Sequence, residues 1–127
     1  MKRTVILSVS LLALAALAVA APAVQVKNDP GTRIALKASS AFSGASGKAK
    51  FQNTDQRELE IEVEHVRRLA GRRVNFFVNS TKVGTARVNR LGAAQVNRRG
   101  ASFPAIKSGT RIKVKTAAGR LIVSGTF

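Results

Sequence analysis

The chain has 127 residues with 22 Lys plus Arg against 6 Asp plus Glu, a formal charge of +16, a surplus that suits polyanionic partners and lies far from ordinary balance. It contains no Cys, which excludes disulfides and thiol chemistry, and its length allows one domain. Tyr and Trp are absent and six Phe are the only aromatics, a scarcity that counts against stacking on single-stranded nucleic acid.

Lys2 and Arg3 form a positive start, and Val5 to Ala20 is a 16-residue apolar run broken only by Ser8 and Ser10. Ala18-Val19-Ala20 fits the A-x-A cleavage rule, with Ala21-Pro22-Ala23 as a second site. The run is short for a spanning helix, which needs about 20 residues. Residues 1–20 are therefore expected to be a secretory signal peptide, cleaved before Ala21, and no integral membrane span is expected afterwards. The expected location is secreted or periplasmic. Losing Lys2 and Arg3 leaves 20 basic residues against 6 acidic, a charge of +14.

Residues 21–33 read as a leader, with Asn28-Asp29-Pro30-Gly31 as a turn signal, and residues 34–127 as the folded domain. Ile34 to Ala38 is the first candidate strand. Ser39 to Gly47, rich in Ser, Ala and Gly around Phe42, is expected to be a loop that clamps one Phe into the core. Next, Gly47 to Gln52 places Ala49 and Phe51 on one side and Lys48 and Lys50 on the other. Arg57 to His65 alternates most clearly: Leu59, Ile61, Val63 and His65 face one way, and Glu58, Glu60, Glu62 and Glu64 the other. Period two is the mark of a strand with one buried face.

Leu69 to Arg72 reads as a turn, and Val74 to Val78 is nearly continuously apolar, as a central strand would be. Asn79 to Lys82 closes a hairpin onto Val83 to Val88, and Arg90-Leu91-Gly92 turns the chain into Ala93 to Val96. Phe103 to Ile106 is broken by Pro104, so it is expected at an edge or as a crossing. The last hairpin joins Arg111–Lys115 to Leu121–Phe127 through Ala117-Ala118-Gly119. About seven to nine short antiparallel strands without intervening helices predict an all-β Greek-key-like sandwich, with a small barrel as the alternative.

The residues Val74-Asn75-Phe76-Phe77-Val78-Asn79-Ser80-Thr81-Lys82-Val83-Gly84-Thr85-Ala86, Gly92-Ala93-Ala94, Pro104-Ala105-Ile106-Lys107-Ser108-Gly109-Thr110 and Ser124-Gly125-Thr126-Phe127 resemble a group of small secreted bacterial β-sandwich domains of uncharacterised function. The resemblance spans roughly Gly47 to Phe127 and implies fold and export, not an activity. More distantly, the chain is similar to chordin-type (CHRD) domains and copper/zinc superoxide dismutases, which also begin a sandwich with a Gly-x-Ala-x-Phe-like strand followed by an alternating one. Those families place histidines where this chain has none, so the likeness implies neither a metal nor dismutase chemistry.

One His and two Asp, Asp29 and Asp55, leave little from which to build an activated nucleophile and an oriented base. His65, in phase with core residues, reads as a structural histidine. No phosphate loop, cofactor motif or metal-ligand spacing is present, and the four glutamates stand about 6.5–7 Å apart along a strand, too far for several to hold one ion. No catalytic residue, metal or cofactor is expected, and the domain is not expected to be an enzyme. The glutamates are better read as one side of a structural charge ladder whose other side is Lys48 and Lys50, or Arg111, Lys113 and Lys115, or both rows.

From His65 to Phe127 there are 14 basic residues and no acidic one. The densest runs are Arg67-Arg68, Arg72-Arg73 and Arg98-Arg99, in or beside turns, with Arg87 and Arg90 near another. These six paired arginines are the candidate polyanion-binding residues, because the guanidinium fork matches phosphate, sulfate and carboxylate. The expected function is a non-catalytic basic binding module attaching to an anionic polymer or envelope surface: polysaccharide, lipopolysaccharide or nucleic acid. The alternative is a structural protein that self-associates through complementary Glu and Lys/Arg faces.

Overall fold

The computed structural model describes residues 31–127; the signal-peptide reading and most of the leader lie outside them. Eight strands follow in chain order: β1 (Thr32–Ala38), β2 (Ser46–Asn53), β3 (Arg57–Glu64), β4 (Arg73–Val78), β5 (Thr81–Arg87), β6 (Ala94–Arg99), β7 (Arg111–Thr116) and β8 (Leu121–Thr126). Two single 3-10 turns, Ser40–Phe42 and Arg67–Leu69, interrupt them. The first strand begins at Thr32, two residues before the expected Ile34. The Phe103–Ile106 stretch forms no strand and serves as the crossing from β6 to β7.

The strands pair antiparallel in one sheet of order β5-β4-β7-β8-β1-β2-β3-β6. β4, β5 and β6 follow one another while β7 returns beside β4, which is Greek-key order. β5 and β6 lie against each other without ladder pairing, so the sheet closes almost completely into a small barrel. Of the two expected architectures, this single sheet is the small barrel rather than a sandwich of two sheets. Its halves, β1-β2-β3-β6 and β5-β4-β7-β8, share a short β1–β8 register, Lys37 with Ser124 and Ala38 with Val123. Irregularities after Phe76 and after Val114 let β4 and β7 curve, as closure of a small barrel requires.

Alternation decides which face each strand buries. Leu59, Ile61 and Val63 of β3, Val74, Phe76 and Val78 of β4, and Ile112 and Val114 of β7 all lie at 1% exposure or less. Phe42 is buried from its 3-10 turn, as the loop reading expected, and Phe103 is buried from the crossing. The seam between β5 and β6 is closed by side chains. Arg98 Nε donates to the Val83 carbonyl, and a Cβ on Gly84 would meet Val96 Cγ1 at 2.9 Å, so only a bare backbone lets the two edges approach this closely.

His65 departs from its expected place. β3 ends at Glu64 and His65 takes a left-handed backbone, φ 64°, which turns its side chain out of phase. It is exposed, its Nδ1 sharing a 2.9 Å hydrogen bond with Ser46 Oγ, and Val66 enters the core instead, 2% exposed.

Candidate functional site

The glutamates of β3 occupy its outer face between two strands that offer polar partners. On the β2 side, Lys48 stands opposite Glu62 and Lys50 opposite Glu60, and Lys48 Nζ lies 3.5 Å from Glu62 Oε1. On the β6 side, Gln95 Nε2 donates to Glu60 Oε2 at 2.6 Å and Asn97 Nδ2 to Glu58 Oε2 at 3.0 Å. Arg99 lies 3.7 Å from the same Glu58 oxygen, and Gln52 Nε2 donates to Glu58 Oε1 at 3.2 Å. Burial, and then the hydrogen-bonded like charge of Glu64, push the Glu62 carboxyl above its ordinary range against the pull of Lys48.

Arg111, Lys113 and Lys115 do not take part. They stand on β7, separated from β3 by three strands in either direction around the barrel. That is the opposite side, because β7 pairs with β4 and β8. There they belong to a lysine-bearing outer face. The register sets Lys37, Ser124, Lys113, Phe77 and Lys82 side by side across β1, β8, β7, β4 and β5. Lys115 Nζ sits 5.1 Å from the Phe77 ring centroid.

The six candidate arginines also divide. Arg67 and Arg68 lie on the 3-10 turn after β3, and Arg72 and Arg73 at the start of β4. All four are at the end of the barrel where β3, β5 and β7 finish. Arg98 and Arg99 are the last two residues of β6, beside the turn at Gly100, and pair with Leu59 and Glu58 near the start of β3. They lie four and five positions along β6 from Ala94 at its arginine end, so roughly 13–17 Å of strand keeps this pair away. Their guanidinium groups are also engaged, Arg98 at the seam and Arg99 at Glu58.

Arg120, which the charge runs did not single out, joins the first four. Phe42, Arg68, Leu69, Arg72, Arg73, Thr116, Ala117, Ala118 and Arg120 line one open cleft of about 650 Å³. Backbone bonds hold its walls: Gly71 N–H to the Val88 carbonyl at 2.8 Å, Val88 N–H to Arg72 at 2.8 Å, and Thr116 N–H to Arg120 at 2.8 Å. Arg68 donates to the Ala41 carbonyl and lies over the Phe42 ring, 4.3 Å from its centroid. The guanidinium groups of Arg72, Arg73 and Arg120 make no hydrogen bond or ion pair among the described residues.

No carboxylate lines this cleft. A smaller hollow of about 270 Å³ beside it is lined by residues 41–45 with His65, Arg67 and Arg68. Its lining also lacks a carboxylate. Among the described residues no group of three or more His, Cys, Asp or Glu could hold a metal, and no helix is long and apolar enough to cross a membrane. No protein-family model, curated protein or solved structure matches the chain.

Proposed function

We propose that the protein is an exported, non-catalytic binding module that attaches through its arginine end to anionic groups on an envelope surface or polymer, in the periplasm or outside the cell. One observation carries this reading: Arg68, Arg72, Arg73 and Arg120 surround one cleft with no carboxylate among them. Gathering like charges on pinned loops costs repulsion, which an anion in the cleft would relieve. Three of the four forks have their donors unspent within the described residues, as recognition of phosphate, sulfate or carboxylate requires. The N-terminal pattern supplies the reading of export.

Self-association through complementary faces is the weaker reading. It needs an unspent acidic face, whereas Glu58 and Glu62 already meet Arg99 and Lys48, and Glu60 accepts from Gln95. The test is the combined Arg68→Gln, Arg72→Gln, Arg73→Gln and Arg120→Gln variant on immobilised heparin and lipopolysaccharide. It should elute at markedly lower salt, with the slope of log affinity against log salt reduced by roughly one per lost contact. Elution at the wild-type salt would sink the proposal.

A further inference from the structure

Leu91 is the one large apolar side chain left exposed among the described residues, at 72%. A lone surface leucine is ordinary. This one is carried on a turn fixed by its own hydrogen bonds and by contact with a second turn. Asn89 Oδ1 accepts from the N–H of Leu91 at 2.9 Å and of Ala93 at 3.1 Å, and Gly92 N–H donates to the Asn89 carbonyl at 3.0 Å. Gly92 has φ 85°, and a Cβ there would lie 2.6 Å from Arg67 N. The Val66 N–H donates to the Gly92 carbonyl at 3.0 Å. The turn that carries Arg90 and Leu91 is thus seated on the turn that carries Arg67 and Arg68.

The exposed leucine therefore shares its end of the barrel with the arginine cleft, whose lining includes the apolar Phe42, Leu69, Ala117 and Ala118. A polysaccharide or nucleic acid offers such an end phosphates or sulfates but little for a leucine to enter. A bilayer bearing anionic lipid offers phosphates with acyl chains just beneath them. We propose that the arginine end docks on a bilayer containing anionic phospholipid. Leu91 enters the interface, while Arg67, Arg90 and the cleft arginines meet the headgroup phosphates. This rests on the reading of that end as an anion site. Each arginine near such a surface contributes roughly fivefold in affinity, and burial of the leucine roughly tenfold more. Attachment would be reversible, since one small apolar group is a weak anchor.

The chain has no Trp, so Leu91→Trp reports on this position alone. The protein, purified as its source cell exports it, is mixed with phosphatidylcholine vesicles with and without phosphatidylglycerol. A blue shift of the emission with the anionic vesicles alone is expected. Leu91→Ser should sediment with them about tenfold more weakly, with its elution from heparin unchanged. Unshifted emission from vesicle-bound protein would overturn the proposal, as would wild-type vesicle affinity in Leu91→Ser. Binding to heparin without binding to anionic vesicles would also overturn it, and would leave a soluble polyanion as the partner. Failure of the underlying anion-site reading shows separately, as unchanged heparin elution in the fourfold glutamine variant.

Discussion

Replacing Arg57 should unlock the end of the barrel remote from the cleft. Its Nη1 donates to the carbonyls of Gly100 at 2.9 Å and Phe103 at 3.1 Å, and its Nη2 to Pro104 at 2.6 Å. The guanidinium carbon lies 4.0 Å from the Phe103 ring centroid and 5.9 Å from that of Phe51, and the two rings meet edge to face at 6.2 Å. One side chain thus ties the start of β3 to the first half of the crossing between β6 and β7. Hydrogen bonds to a charged group contribute about 1.5–3 kcal/mol each when buried, and an exposed cation–π contact about 0.5–1 kcal/mol. Arg57 is half-buried and water can replace part of this, so Arg57→Met should cost about 2–4 kcal/mol in total. For a domain of this size that lowers Tm by roughly 10–20 °C. Arg57→Lys keeps the charge and one donor direction and should recover about half of the loss. The assay is thermal unfolding with hydrogen exchange at residues 100–104, in parallel with heparin elution below the new Tm. Stability within about 0.5 kcal/mol of wild type, with undiminished protection of that loop, would refute the reasoning. Altered heparin elution in the folded variant would refute the separation of the two ends.

Two further outcomes follow from the barrel itself. Because the folded state holds the Glu62 proton more tightly than the unfolded chain does, its contribution to stability is greatest in acid and falls as pH rises from the ordinary carboxyl range to the raised value. Glu62→Gln should therefore raise stability at pH 7 by roughly 0.2–1 kcal/mol, the scale of side-chain charge pairs on a sheet, and the gain should vanish below about pH 4; a gain that persists there would contradict this. Gly84→Ala would press on Val96 across the β5–β6 seam. It should cost about 1–3 kcal/mol and speed amide exchange along both edges, whereas an unchanged Tm would mean that the seam has room.

Periodicity made the fold legible and left the placement of the charges largely dark. Alternation in Leu59-Glu60-Ile61-Glu62-Val63 places every side chain of that stretch, because a strand buries one face and wets the other. It also carried His65 into the core by extrapolation, since a left-handed residue that ends the strand leaves no mark in the pattern. Gln95-Val96-Asn97-Arg98-Arg99 loses its apolar alternation after Val96, so the strand reads as ending there, when β6 runs on through Arg98 and Arg99 along Leu59 and Glu58 up to the turn at Gly100. The expected row of Arg111, Lys113 and Lys115 beside the glutamates needed the sheet order, which pairs segments far apart in the chain and is not written in any one of them. Arg57 was invisible for a similar reason. Its partners are backbone carbonyls 43 to 47 residues away, and carbonyls carry no residue-type signature. Arg120 stands alone in a hairpin turn, and only the fold brings it to Arg72 and Arg73.

Whether the proposed binding goes by place or by net charge is decided by two variants that each remove four positive charges. One replaces Arg68, Arg72, Arg73 and Arg120 of the cleft with Gln; the other replaces Lys37, Lys82, Lys113 and Lys115 of the β7 face. Measured side by side as the salt needed to elute each from heparin, the cleft variant should lose most of its retention and the β7-face variant should keep most of it. Equal losses in the two would contradict an arginine end that acts as the binding site.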